Sequence, residues 1–436
     1  MNKFKLIGIV LVILVLIGVV IKLFSVSGGT SQDTSKADTS SVKELHKLPQ
    51  RKRLTAPSDI TILNKPATTS QFLPGATFTQ VDSNFHSQTE QLLLSKAVGY
   101  LNVFIDGWGT DNPEPSPGQY VWDTLDERVN VMRHIRDLSG GSTKFMISLC
   151  CAPDWMKSDS DINTAPNPQN FADFAQLARQ VALRYPDVKY FQVWNELKGF
   201  EDNPSEYTHM YNAVYDAIKS ARQDAQVGGP YVSLAPSNIP DTITSQWLTT
   251  KHGGDLIVVD GGFDSSSSAT DFSNARFYSD YGKWLRQQSH GGATLPFGWA
   301  EWYPGTVHLW GANQFNATMA NAMIYTLQGG ASYALMWGLE GGINGVYMAG
   351  DGQQLGLINH NQPTLWYQTV KDFYDYFGPG TPILTAKFRS NIPVTVLASA
   401  RKTMLVNQRD YKQTLTINGY QFSLNPFQVL FMDTPV

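Results

Sequence analysis

A chain of 436 residues with 42% hydrophobic content can bury the core of one large domain and a smaller companion, which excludes disorder along its whole length. The formal net charge of −4 and a pI near 6.1 give no basic field, so nucleic acid is not an expected partner. The two cysteines, Cys150 and Cys151, are adjacent and cannot staple distant segments; side-chain alternation along a strand predicts two separate thiols rather than a vicinal bond.

From the N-terminus, Lys3 and Lys5 precede the uncharged run Leu6 to Ile21, which Lys22 closes. Residues 1–24 read as a signal anchor or transmembrane helix with its N-terminus in the cytoplasm and the remaining chain outside. Cleavage near Ser25 to Gly28 would instead make the protein secreted. Residues 25–71 are rich in Ser, Thr, Asp and Lys, include Arg51-Lys52-Arg53, and read as a polar flexible linker.

From 72 to 378, short β-rich runs alternate with amphipathic helical stretches, as a parallel βα repeat requires. The predicted strands are Thr77 to Val81, Tyr100 to Ile105, Lys144 to Leu149, Tyr190 to Trp194, Gln226 to Leu234, Leu256 to Asp260, Pro296 to Ala300 and Tyr333 to Trp337. Helices are predicted over Asn170 to Arg184 and Pro204 to Arg222, where apolar residues recur at helical spacing. The fold class is therefore α/β, a (β/α)8 TIM barrel. Past Gly378-Pro379-Gly380 the text turns to β-rich segments without helix: Pro393 to Leu397, Lys402 to Val406, Gln413 to Ile417 and Gln428 to Met432. Residues 379–436 read as a small antiparallel, sandwich-like β-domain.

Two segments place a carboxylate at the end of a β-rich run, where a barrel presents its active site: Phe191-Gln-Val-Trp-Asn-Glu196 and Phe297-Gly-Trp-Ala-Glu301-Trp302. Three βα units of about 35 residues separate them, so they close strands four and seven and face each other across the mouth. A glycosidic bond needs such a pair, one carboxyl to protonate the leaving oxygen and one to attack or to activate water. Their proximity would also push their acidities apart. Trp108, Trp155, Trp302, Tyr303 and Trp310 are candidate stacking surfaces for sugar rings, and Glu340, in Trp337-Gly-Leu-Glu340, is a further carboxylate just past a strand, read as a subsite or structural residue. Asp106, Asp154 and His308 are candidates for the cleft rim.

The ordered series resembles the clan A glycoside hydrolases, in particular the family 39 type of β-xylosidases and α-iduronidases. Trp194-Asn195-Glu196 matches the clan's Asn-Glu pair closing strand four, and Trp299-Ala300-Glu301-Trp302 is similar to its strand-seven nucleophile segment. Gly118-Gln-Tyr120-Val-Trp122 with Leu125-Asp126, and Cys151-Ala-Pro153-Asp154-Trp155, resemble earlier landmarks. The resemblance implies a retaining hydrolase with Glu196 as acid/base, Glu301 as nucleophile, Asn195 on the sugar 2-hydroxyl and Trp337 as a sugar platform. Two departures stand out. Ile105-Asp106-Gly107-Trp108 lacks the arginine often found after strand two, and Val259-Asp260-Gly-Gly-Phe263 stands where a His-x-Tyr segment usually orients the nucleophile. Tyr278 and Tyr303 are the candidates for that support.

The chain lacks His-Glu-x-x-His and paired Cys-x-x-Cys spacing, so no metal or other cofactor is expected. Gly-x-Ser-x-Gly and a Gly-x-Gly-x-x-Gly opening a helix are also missing, which disfavours a serine hydrolase and a dinucleotide enzyme. The alternative on the same fold is a catalytically inactive carbohydrate-binding protein of the cell surface.

Overall fold

The structure, a computed structural model, describes residues 57–79, 85–261, 272, 274–302, 304, 311–339 and 356–435. The predicted membrane segment 1–24 lies outside them, as do Tyr303, His308, Trp310 and Glu340. Among the described residues no helix is long and apolar enough to cross a membrane.

β1 (Ile60–Thr69) precedes the barrel. β2 (Leu73–Thr77), β3 (Tyr100–Phe104), β4 (Lys144–Leu149), β5 (Tyr190–Val193), β6 (Gln226–Leu234), β7 (Leu256–Gly261), β8 (Phe297–Trp302) and β9 (Tyr333–Trp337) then close into one barrel in that order, every neighbouring pair parallel. The first barrel strand lies over Leu73–Thr77 rather than Thr77 to Val81: the buried run Leu73-Pro-Gly-Ala-Thr77 pairs in register with Tyr333–Trp337. Most of these strands are buried on both faces, which suits parallel strands covered by helices.

The covering helices are α1 (Gln88–Ala97), α2 (Asp123–Leu138), α3 (Phe171–Arg184), α4 (Pro204–Ala221), α5 (Thr242–Thr250), α6 (Arg276–Leu285), α7 (Ala312–Gln328) and, after a two-stranded hairpin of β10 (Ile358–Asn359) and β11 (Gln362–Pro363), α8 (Leu365–Phe377). Each turns an apolar stripe to the sheet. In α3 that stripe is Phe174, Leu177, Ala178 and Val181; in α4 it is Tyr207, Tyr211, Val214 and Ile218, with the Tyr207 hydroxyl donating to Val193 O at 3.0 Å.

The barrel interior holds an apolar cluster of Leu73, Tyr100, Met146, Leu256, Val258, Tyr333 and Leu335, and beside it a buried polar layer. Asn102 Nδ2 donates to Thr77 Oγ1 at 3.2 Å, Ser148 Oγ to Asn102 Oδ1 at 3.1 Å, Gln192 Nε2 to Ser148 Oγ at 3.0 Å and Tyr333 OH to Gln192 Oε1 at 3.2 Å. The chain of donors and acceptors satisfies groups that would otherwise be costly to bury. Gly298 makes room for it, because a Cβ there would meet the Tyr333 ring at 2.3 Å.

β12 (Pro382–Phe388), β13 (Val394–Ala398), β14 (Lys402–Asn407), β15 (Gln413–Ile417), β16 (Tyr420–Leu424) and β17 (Val429–Asp433) form the C-terminal domain as two sheets, ordered β12-β1-β15-β16 and β13-β14-β17. This corrects the linker reading of 25–71: Ile60–Thr69 is an inner strand, antiparallel to β12 and parallel to β15. Ile60 and Ile62, two apart on one face, are buried in the sandwich core with Leu415, Ile417 and Phe422. Asp59 clamps the junction by accepting from Thr416 N at 2.8 Å and Thr416 Oγ1 at 2.9 Å.

The cysteines also differ from expectation. Cys150 and Cys151 are joined as a vicinal disulfide. β4 ends at Leu149, so the pleat that would part the two side chains stops before them, and the peptide between them is cis.

Candidate active site

Glu196 follows β5, the fourth barrel strand, in a turn that bends sharply. Trp194, Glu196 and Leu197 all adopt positive φ, at 77°, 48° and 57°. Such backbone costs roughly 1–3 kcal/mol per residue and persists only where packing over-determines it. Here the fully buried Trp194 indole supplies that packing, edge-on to Phe174 and Phe200, and donates to Lys198 O at 2.8 Å. Between the strained residues Asn195 is buried, and its side-chain Oδ1 has no hydrogen-bond partner among the described residues, a polar atom left for a ligand.

Glu301 lies on β8, the seventh barrel strand. Strict alternation would set it on the same outer face as Trp299. A bulge prevents this: Val259 pairs with Trp299 but Asp260 pairs with Glu301, leaving Ala300 as the extra residue. Ala300 points into the barrel, Glu301 turns to the mouth, and Trp302 is thrown outward. Trp302 is therefore not a sugar-stacking surface. It is buried behind the barrel, stacked on Trp366, with its indole N–H donating to Thr326 Oγ1 at 3.2 Å.

The oxygens of Glu196, Glu301 and Asp260, the last at the end of β7, lie within 4.8 Å of one another. A cluster of carboxyls is not in itself a metal site, and Lys198 Nζ already forms an ion pair with Glu196. Burial lowers the Lys198 ammonium, but the hydrogen bond and charge of Glu196, with the charges of Glu301 and Asp260, outweigh it and raise the group above its ordinary value. Asp260 is pushed far above the carboxylate range, first by complete burial and then by the neighbouring charges of Glu301 and Glu196.

Tyr278 does not support Glu301. It sits on α6 behind the sheet, packed edge-on against Trp299 at 4.7 Å, and its hydroxyl donates to Gly261 O at 3.2 Å. The partner is Tyr231, whose hydroxyl donates to Glu301 Oε1 at 3.1 Å. Tyr231 reaches inward because β6 carries a register shift between Pro230 and Val232 and Tyr231 itself has φ of 54°. The signal was in the sequence: proline inside a central-strand pattern marks a bulge, and bulges re-aim side chains.

Of the aromatic candidates, Trp337 at the end of β9 and Trp108 after β3 are half-buried and meet edge-to-face at 5.6 Å, both resting on Phe104. Trp155 is half-buried in the loop after β4, its indole N–H fixed to Glu114 O at 2.9 Å. Asp106, which follows β3, is partly buried; desolvation raises its carboxyl to about 6 against the opposing Gly107 amide and Lys157 charge.

The fold is a closed eight-stranded parallel barrel with an antiparallel β-domain. Among solved structures it is similar to SrfJ from Salmonella typhimurium, with a TM-score of 0.65 at 14% identity over 88% of this chain and 95% of that one. It is similar also to a GH30 endoxylanase from Clostridium papyrosolvens C71, with a TM-score of 0.57 at 12% identity over 86% of this chain and 100% of that one. A GH39 enzyme from Xanthomonas axonopodis pv. citri gives a TM-score of 0.52 at 16% identity over 81% of this chain and 75% of that one. At these identities the likeness defines the fold alone. No family model and no curated protein matches the sequence.

Proposed function

We propose that this chain is a retaining glycoside hydrolase acting on an oligo- or polysaccharide outside the cell. The observation that carries the reading is the approach of Glu196 and Glu301, from barrel strands four and seven, to within 4.8 Å at the closest oxygens. Retaining pairs stand about 5 to 5.5 Å apart, whereas inverting pairs leave about 6.5 to 9.5 Å for a water. Glu301, buried and oriented by Tyr231, attacks the anomeric carbon; Glu196, partly exposed, gives its proton to the leaving oxygen and then takes one from water. Asn195 is assigned to the sugar hydroxyl beside the anomeric centre, and the Trp108–Trp337 pair to a sugar face. Export rests on the uncharged run Leu6 to Ile21, which we assign to a membrane anchor.

The test is hydrolysis of a polysaccharide and aryl-glycoside panel, with the anomer of the first product followed by NMR. Retained configuration is expected. Glu301→Gly should abolish turnover on every substrate, while Glu196→Ala should lose about 10²–10⁴-fold on natural glycans and much less in the first step on aryl glycosides whose phenolate leaves unaided. Azide should rescue Glu196→Ala to a glycosyl azide of retained configuration. Binding of the panel without cleavage would support the inactive-binder alternative, and inverted product would reject the double displacement.

A further inference from the structure

The mechanism uses two of three carboxyls, and the third has a job that its surroundings define. Asp260 is 0% exposed, and neither of its oxygens accepts a hydrogen bond from a described N–H or O–H. Within 4.8 Å lie carboxyl oxygens of Glu196 and Glu301, which are acceptors when ionised. Two bare carboxylates in contact repel; one proton between them turns the contact into a strong hydrogen bond. Among the described residues, the other titratable groups that bear on this corner are Lys198, which pairs with Glu196 through Oε2, Tyr231, whose hydroxyl donates to Glu301, and, from behind the sheet, Tyr278 on α6, whose hydroxyl is given to Gly261 O. None of these bonds supplies Asp260 with a donor.

We propose that Asp260 is a neutral, proton-bearing positioning residue: its O–H donates to Glu196 in both of that glutamate's forms, to a carboxylate oxygen when Glu196 is ionised and to the oxygen without the proton when it is protonated, and so holds the acid/base in place through both half-reactions while the Glu196 proton stays free for the leaving oxygen. A protonated carboxyl is suited to this because it carries an O–H donor, whereas a carboxylate only accepts. Glu196 must alternate between the two forms within each turnover, and each form keeps an oxygen that accepts. No proton leaves Asp260 in the cycle. The proposal rests on the hydrolase reading given above.

The experiment compares Asp260→Asn, which keeps a neutral donor and acceptor, with Asp260→Ala, which keeps neither. On an aryl glycoside with a poor leaving group, Asp260→Ala should lower kcat about 100-fold with KM little changed, and Asp260→Asn should recover at least about tenfold of that loss. Independently of turnover, the infrared spectrum of the wild-type protein at neutral pH should contain a protonated-carboxyl C=O band that Asp260→Asn removes. Equal losses of kcat in the two variants overturn the positioning role, and absence of that difference band overturns the neutral state. Should Asp260→Ala fail to fold, the band alone decides. A wild-type protein that cleaves no glycoside refutes the hydrolase reading, whereas the band still reports on Asp260.

Discussion

Replacing Tyr231 with phenylalanine isolates one atom of the site. The hydroxyl donates to Glu301 Oε1 at 3.1 Å, Tyr231 is wholly buried and Glu301 nearly so, and the ring that remains fills the same space. A hydrogen bond to a charged group contributes about 1.5–3 kcal/mol, and each 1.36 kcal/mol is tenfold in rate, so complete loss of its orienting effect corresponds to about 10- to 150-fold in kcat. KM should move little, because Tyr231 holds the carboxylate proposed as the nucleophile rather than the sugar. The assay is steady-state cleavage of an aryl glycoside, with near-UV circular dichroism to verify packing. Tyr278→Phe is the matched control: it breaks only the bond to Gly261 O, and should lower stability by about 1 kcal/mol while leaving kcat near wild type. Undiminished kcat in Tyr231→Phe, or a larger loss in Tyr278→Phe, would refute the assignment of Tyr231 as the residue that aims Glu301.

A chain beginning at Phe72 should lose the sandwich, since Ile60 and Ile62 alone contribute roughly 3–6 kcal/mol of burial before the β1 ladder is counted, whereas one beginning at Pro57 should melt as the full chain does; equal thermal transitions would contradict the placement of β1. Asp106 gives a pH test. Its folded-state value of about 6 exceeds the ordinary 3.8, so the folded protein holds this proton more tightly, and the associated stability is present below pH 4 and disappears as pH rises to 6. Asp106→Asn should therefore be more stable than wild type above pH 6 by about 2–3 kcal/mol in urea denaturation, with the gap closing near pH 4. A gap of the same size at both pH values would reject the linkage.

The barrel was legible because its information is local: each strand is a short apolar run bounded by turn residues, and each helix carries its own stripe. Seven of the eight predicted strands overlap those observed closely, and Gln226 to Leu234 coincides with β6. The two glutamates were legible because they close such runs. What escaped depends on a single residue of register. The bulge at Ala300 decides that Glu301 and not Trp302 faces the mouth, and Tyr231 is aimed by the irregularity at Pro230; periodicity assumes a regular pleat and passes over both. Tyr278 was a candidate because it follows the sixth strand, whose end lacks the His-x-Tyr segment, but it lies on a helix with the sheet between it and Glu301. β1 was hidden for another reason. Its text, Ile-Thr-Ile-Leu-Asn-Lys-Pro-Ala-Thr-Thr, is mostly polar, and only Ile60 and Ile62 declare a buried face. Its partners are β12 and β15, on the far side of the barrel in sequence, where no local pattern can point.

That distance orders the making of the molecule. β1 is among the first described segments to be synthesised, yet Asp59 and Ile60 bond residues 357 positions and more along the chain, so the strand must wait while every barrel unit is laid down. A pairing so remote closes slowly, and until it closes β1 offers an unsatisfied edge to any other strand in solution. The sandwich thus acts as a seal set only by a finished chain: a product cut short before β15 would carry a plausible barrel but an open seam, a mark by which incomplete molecules differ from complete ones.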